Sequence, residues 1–150
     1  MKVKLGKKFF SNIGPDVVNL YREHTFDDGL DSNGKKFKKY SKEYGEAKRS
    51  GKLKRQASKF KNTTSPVLTG DLYRDFKLIK TSRDGIIGGT VAHGAKVDSL
   101  AKRGRYLSTT KNPIPKHIGE FILKEADEYF MKQVAKVMKN KTFKIDVFKK

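Results

Sequence analysis

The sequence predicts an α+β fold, in which a small antiparallel sheet packs against two amphipathic helices. Apolar residues recur at helical spacing near both ends of the chain, a hairpin pattern lies between these stretches, and a short alternating segment follows the second one. The 150 residues suffice for one domain with a modest core, so we expect a single domain over 1–150. Two long basic segments, an excursion at 35–64 and a loop at 92–112, should lie outside its sheet.

The first helix is predicted over 10–25. Ser11 or Asn12 can cap it, and Pro15 suits a first turn, where no amide hydrogen is needed. Residues at three- and four-residue steps form one mainly apolar face, namely Phe10, Ile13, Val17, Leu20, Tyr21 and His24.

A turn is predicted at 27–34. The Asp31-x-Asn33-Gly34 pattern resembles the middle of a calcium-binding EF-hand loop. In that alignment the first and twelfth positions hold Gly29 and Tyr40, which lack the carboxylates that calcium needs there. A turn in which Asp and Asn bond their own backbone, and glycine takes a positive φ, explains the segment better.

Residues 35–61 hold most of the positive charge. The chain has a formal net charge of +19. This segment contributes +10, because it contains twelve Lys and Arg and only two acidic residues, Glu43 and Glu46. Such a chain usually works beside polyanions or acidic protein surfaces, although a solvated basic loop is the plain alternative. The candidate residues for contact with DNA or an acidic partner are Lys35, Lys36, Lys38, Lys39, Lys42, Lys48, Arg49, Lys52, Lys54 and Arg55.

Aromatic residues interleave with these cations at Phe37, Tyr40, Tyr44 and Phe60. We expect them to anchor the segment to its own domain, because duplex DNA offers no free base faces for stacking. Ser41 can cap a short helix over 40–48. An exposed loop is expected over 52–64.

A β-hairpin is predicted over 76–91. Two strand-like runs flank Asp84-Gly85, a pair that suits a tight primed turn. A short helix that Thr69 could cap should precede the hairpin and bury Leu72, Tyr73 and Phe76.

The second helix is predicted over 116–138, where apolar residues keep helical spacing for about six turns. Such a stripe belongs to a core or to an oligomer seam. Residues 142–148 alternate strictly, which predicts a strand in the same sheet as the hairpin, apolar on Phe143, Ile145 and Val147.

Several function classes find little support. The chain has no cysteine, so disulfides and thiolate zinc sites are excluded, and its three histidines lack ligand spacing. No apolar run approaches the ~18 residues of a membrane span, and the first residues do not resemble a signal peptide. We find no catalytic motif and expect neither enzymatic activity nor a cofactor; Asp27, Asp28 and Asp31 are the only candidates for a nuclease-type metal site.

Five segments lie in a distinctive order between the predicted elements. They are Phe26-Asp27-Asp28-Gly29-Leu30-Asp31-Ser32-Asn33-Gly34-Lys35-Lys36-Phe37, Tyr40-Ser41-Lys42 through Lys48-Arg49, Val67-Leu68-Thr69-Gly70-Asp71-Leu72, Ile86-Ile87-Gly88-Gly89-Thr90 and Ile114-Pro115-Lys116-His117-Ile118-Gly119. In order and spacing, over roughly 9–139, they resemble the tail-completion and virion-morphogenesis (head–tail joining, neck) proteins of tailed bacteriophages. The chain departs from that family at Ala92-His93-Gly94-Ala95 and at Lys116-His117-Ile118.

The resemblance implies a non-enzymatic virion protein of the neck or tail, made in the host cytoplasm. It further implies a homo-oligomeric ring around the DNA channel, with a hexamer among the candidate sizes. Neighbouring neck, connector or tail proteins and packaged double-stranded DNA are the implied partners. Two other classes stay open: a sequence-nonspecific nucleic-acid-binding module, and a small nuclease or toxin.

Overall fold

The computed structural model describes residues 5–53, 66, 70–108, 111 and 113–139. Within these ranges five α-helices and one two-stranded antiparallel sheet form a small α+β fold, as predicted. The predicted terminal strand at 142–148 lies outside the described residues. In chain order the elements are α1 (Lys7–Arg22), a π-helical turn (Glu23–Asp27), α2 (Lys42–Ser50), α3 (Asp71–Asp75), β1 (Phe76–Thr81), β2 (Ile86–Thr90), α4 (Gly94–Lys102) and α5 (Lys116–Lys139).

Helix α1 begins at Lys7, three residues before the predicted start. Its N-cap is Gly6, and Pro15 consequently lies inside the helix, so the predicted start was wrong. The cause is tertiary packing: the earlier start buries Phe9, whose ring lies 5.4 Å from that of Tyr129 on α5. The hydroxyl of Ser11, free of a capping role, forms a 3.0 Å hydrogen bond with that of Thr81.

The π-helical turn widens the end of α1. The amide of Asp28 donates to the carbonyl of Glu23 at 2.9 Å, across five residues instead of four. Three consecutive residues, His24, Thr25 and Phe26, are buried there.

The hairpin follows the prediction. Phe76 pairs with Thr90 at the open end, and the amide of Ser82 donates to the carbonyl of Gly85 at 2.9 Å in the turn. Helix α1 packs across this sheet at Gly14, where an added Cβ would lie only 3.0 Å from a methyl group of Leu78. Glycine at this position therefore permits the close approach of helix and sheet.

The core is centred on Phe76 at the start of β1. The ring of Tyr21 stacks on it with a centroid distance of 4.9 Å, and the ring of Phe26 meets it edge-on at 5.7 Å. Segments distant in sequence complete the cluster. Its buried members are Val18, Tyr21, Phe26, Phe37, Leu72, Phe76, Leu107 and Ile118.

Helix α3 buries Leu72, and Phe76 directly after it is buried as well, as the sequence predicted, whereas Tyr73 is only half-buried. The helix follows Gly70, which has a φ of 86°. The predicted cap Thr69 lies outside the described residues.

The predicted loop over 92–112 contains α4, so that part of the prediction was wrong. Asp75 explains where the helix forms. One oxygen of its carboxylate accepts hydrogen bonds of 2.8–2.9 Å from the amides of Val91, Ala92 and His93, which fixes the chain just before α4. Val97 and Leu100 then pack against the core.

Helix α5 matches its predicted range, and the residues of its predicted apolar stripe are buried or half-buried except Phe130 and Met138. Ile118 is its one buried residue, whereas Leu123, Phe130, Met131 and Met138 are exposed. A core position therefore holds for the side of α5 that carries Ile118 and Tyr129, and not for the side that carries the four exposed residues. No helix in the described part of the chain has both the length and the apolarity to cross a bilayer.

The buried and the exposed sides of α5 should differ in their effect on stability. Ile118→Ala removes a fully buried side chain and should lower the free energy of unfolding by about 2–5 kcal/mol. Leu123→Ala, on the same helix but 67% exposed, should change it by less than about 0.5 kcal/mol. Urea denaturation measures both; equal losses would contradict this packing.

Candidate functional site

The turn before the basic segment is rigidly hydrogen-bonded. One carboxylate oxygen of Asp31 accepts from the amides of Asn33 and Lys35, each at 2.9 Å, and Gly34 has a φ of 78°. Leu30 forms an antiparallel bridge with Lys36. The predicted turn is confirmed, and it fixes the backbone of the first two lysines of the basic segment.

Phe37 fixes the next residues. Its ring is buried in the core cluster, and its amide donates to the carbonyl of Gly29 at 2.9 Å. Two pairs of exposed lysines flank it, Lys35 with Lys36 and Lys38 with Lys39. The expectation that this aromatic residue anchors the segment to its own domain is confirmed.

Tyr40 provides a second anchor through a contact that the sequence did not suggest. The guanidinium carbon of Arg105 lies 3.6 Å from the centroid of the Tyr40 ring, and the same guanidinium donates to the carbonyl of Lys38. The Tyr44 ring lies 4.7 Å away on α2. Arg105 falls in the predicted loop, 65 residues along the chain, and no local pattern marks it.

Helix α2 carries the rest of the basic segment. The hydroxyl of Ser41 accepts from the amide of Tyr44 at 3.4 Å, so the predicted cap is confirmed, and Gly51 ends the helix with a φ of 74°. Its outward side presents Lys42 and Arg49, and Lys52 follows in the exposed segment after the helix.

Lys48 does not belong to this surface, which corrects the prediction. It lies on the inward side of α2, one helical turn after Tyr44, and is only 1% exposed. Its ammonium lies 5.1 Å from the centroid of the Tyr40 ring. Burial, and then the neighbouring Arg105 guanidinium, lower its pKa to about 8.

The remaining described candidates are all exposed and lie close together in the chain, and they are here called the basic face. Two carboxylates, Glu43 and Glu46, are also exposed on it, which leaves five net positive charges. Lys54 and Arg55 lie outside the described residues. The basic face comprises Lys35, Lys36, Lys38, Lys39, Lys42, Arg49 and Lys52.

Asp27, Asp28 and Asp31, the candidates for a nuclease-type metal site, do not resemble one in the structure. The carboxylate of Asp31 already accepts the amide hydrogen bonds of the turn. Across the described ranges, no group of three or more His, Cys, Asp or Glu side chains is placed to hold a metal ion. The geometry thus gives the nuclease interpretation no positive support.

Two apolar surfaces remain uncovered by described residues. One is the α5 stripe, defined as Leu123, Phe130, Met131 and Met138, which project from about one side of the helix. The other is a groove of about 650 Å³ between α1, the hairpin and α4. Its lining includes Val17, Ile87, Val97, Tyr106, Ile114 and Ile122.

Comparison with protein-family models, characterised proteins and solved structures gives no match for this chain. Its function must therefore be argued from its own surfaces together with the resemblance in its sequence.

The buried ammonium of Lys48 should make stability depend on pH. Its pKa is about 8 when folded and 10.5 ordinarily, so the unfolded chain binds more protons between these values and stability rises with pH in this window. Lys48→Met removes the buried charge, so the variant should exceed the wild type in stability at pH 7 and lose part of this advantage by pH 10. Urea unfolding at several pH values measures the difference.

Lys42→Met is the matched control, because Lys42 is exposed on the same helix. Its stability should stay close to that of the wild type, because substitutions of exposed residues usually change stability little. If the unfolding free energies of both variants kept a constant difference from the wild type between pH 7 and 10, the buried charge of Lys48 would be refuted.

Proposed function

We propose that this protein is a structural component of the neck or tail of a tailed-bacteriophage virion, a tail-completion protein without catalytic activity. Its basic face lies against the packaged double-stranded DNA, and copies of the chain form a ring around it. The observation that carries the proposal is the basic face itself, seven exposed cations on a backbone fixed by buried anchors.

A fixed backbone favours a binding surface over a solvated loop. Lysines on a loose loop would lose conformational entropy when they bind, which weakens binding. Here Asp31, Phe37 and Tyr40 already hold the backbone in place. Lysine contacts to phosphate position a protein without reading sequence. This is what a protein that surrounds DNA of any sequence requires.

The aromatic residues favour duplex over single-stranded DNA. Proteins that bind single strands present exposed aromatic rings on which bases stack. Here Phe37 is buried, and the Tyr40 ring is occupied by Arg105 and Tyr44. The described part of the basic face therefore offers charge for a phosphate backbone and not a platform for bases.

Self-association is supported by the α5 stripe and the groove. They are different apolar surfaces on one chain, and pairing the stripe of one copy with the groove of the next is a heterologous contact, the kind that closes into rings. Each copy carries +19, so copies repel one another unless an anion lies between them. Enclosed DNA would supply that anion.

The alternative function is a sequence-nonspecific nucleic-acid-binding module that acts as a monomer. It shares the basic face with the first proposal and differs in the α5 stripe, which it leaves without a role. An acidic neighbouring protein in place of DNA is the other partner that the charge would fit.

Changing Lys35, Lys36, Lys38 and Lys39 to Gln should weaken binding to a short duplex of any sequence. The slope of log K against log salt should become shallower by up to about 0.9 for each lysine that neutralises a phosphate. Fluorescence anisotropy at several salt concentrations measures affinity and slope.

A control with the same charge change uses the exposed Lys77, Lys80, Lys124 and Lys136. It should keep most of the affinity. Equal losses in the two variants would mean that overall charge and not the basic face binds DNA. Unchanged DNA binding with failed virion assembly would identify an acidic protein as the partner.

Changing Phe130, Met131 and Met138 to Gln should abolish self-association in the presence of duplex DNA, because it removes the exposed apolar side chains of α5. The control Ile79→Gln with Val91→Gln alters equally exposed residues on and beside the hairpin and should have no effect. Sedimentation velocity gives the oligomeric state. A wild-type chain that stays monomeric with and without DNA would contradict the ring and favour the monomeric module.

A further inference from the structure

A polar cavity of about 610 Å³ lies where the turn at 31–34 meets the start of α5. None of the seven cations of the basic face lines it, and of its lining residues it shares only Ile114 with the apolar groove. The turn contributes Ser32, Asn33 and Gly34, and α5 contributes Lys116, His117 and Glu120. Pro115 directly precedes the helix, and its carbonyl accepts from the amide of Ile118 at 3.1 Å.

Ser32 is the unexplained residue of this cavity. The residue is only 3% exposed, and its buried hydroxyl has no hydrogen-bond partner in the described structure. A buried hydroxyl without a partner costs free energy, so a native structure that keeps one invites a ligand or another explanation. Because Ser32 lines the cavity, a ligand there could complete its hydrogen bonding.

The start of α5 favours an anion in this cavity. Helix α5 has 24 residues and no acidic side chain in its first turn, so the positive end of its dipole is not neutralised there. The ammonium of Lys116 lies at the mouth, 3.5 Å from the carboxylate of Glu120, which it offsets. A small anion that enters would meet the first amides of α5 and the ring of His117.

A pair of histidine rings lies beside the cavity. Nε2 of His24 bonds the carbonyl of Asp31 at 2.7 Å, and the ring of His117 lies 4.8 Å from that of His24. Burial and the neighbouring His24 lower the pKa of His117, while Glu120 and Asp28 act in the opposite direction. A bound anion would favour the protonated form of His117.

We propose that this cavity is a binding site for a phosphate group, held by the Ser32 hydroxyl, the first turn of α5, Lys116 and His117. The phosphate is either free or part of a DNA backbone, since the two share the chemistry that the site recognises. The inference does not rest on the proposed function, because the groups in the cavity are distinct from the seven cations of the basic face.

The test uses the full chain and its three histidine ring signals in NMR spectra. Inorganic phosphate, titrated at constant ionic strength, should shift the ring signals of His117 and His24 saturably. His93 lies beside Asp75 and should serve as an internal control that does not shift. Ser32→Ala should weaken phosphate binding about 5-fold and Lys116→Gln at least as much, whereas Lys124→Gln on the same helix should have no effect.

A linear shift without saturation, or equal affinity in the wild type and Ser32→Ala, would overturn the proposal. Because the Ser32 hydroxyl has no partner to lose, Ser32→Ala should fold normally, and an unchanged unfolding midpoint verifies this. Sulfate keeps its charge between pH 5 and 8, and protonation of His117 adds a positive charge beside it, so sulfate should bind more tightly at the acidic end of this range than at pH 8; tighter binding at pH 8 would count against the site.

Two further titrations separate the sources of phosphate. A short DNA duplex that shifts His117 in the wild type identifies a backbone phosphate, and a shift with inorganic phosphate alone identifies the free ion. The variant with Lys35, Lys36, Lys38 and Lys39 changed to Gln should keep its response to inorganic phosphate. Its loss of DNA binding would test the basic face alone, so the two proposals can fail separately.

Discussion

The described structure depends on how a chain rich in cations builds a core with few acids. Its 35 Lys and Arg outnumber 16 Asp and Glu, so most of its cations cannot each have a carboxylate of their own. Arg105 is bound instead by the Tyr40 ring and the carbonyl of Lys38. Arg22 likewise donates from Nε to the carbonyl of Phe76 at 2.7 Å, and its guanidinium packs against the Tyr73 ring. Carbonyl oxygens and aromatic faces thus take the place of counter-ions.

This choice of partners has a consequence for the surface. The lysine–carboxylate ion pairs of the described residues, such as Lys116 with Glu120 and Lys132 with Glu128, lie on exposed helix faces. Pairs of that kind contribute little to stability. The lysines around Phe37 are exposed on a backbone that is fixed for other reasons. Stability and external charge are therefore separated, and the basic face can bind a polyanion without loss to the core.

The sequence predicted those elements whose signals are local. Asp84-Gly85 marked the hairpin, Ser41 marked the start of α2, and the Asp31 turn followed from its own side chains. These features depend on residues within a few positions of one another, which is why a pattern reveals them.

The misses have a common physical origin in contacts between distant segments. Helix α4 is fixed by Asp75, the start of α1 by Phe9 against Tyr129, and the anchor of Tyr40 by Arg105. The burial of Lys48 follows from the orientation of α2 on the domain, although its charge suggested an exposed position. For the candidate site, the exposed lysines were predictable from composition, and their rigid support was not.

Because of the π-helical turn at the end of α1, the number of residues in this region cannot change without moving buried side chains. Such a turn holds one residue more than an α-helical turn, and each residue of a helix corresponds to a rotation of about 100°. Deleting one residue between Arg22 and Asp28 would restore a regular helix and rotate His24, Thr25 and Phe26 away from their buried positions. Homologous chains should therefore vary in length at their exposed turns but keep a constant count of residues from α1 to Phe37.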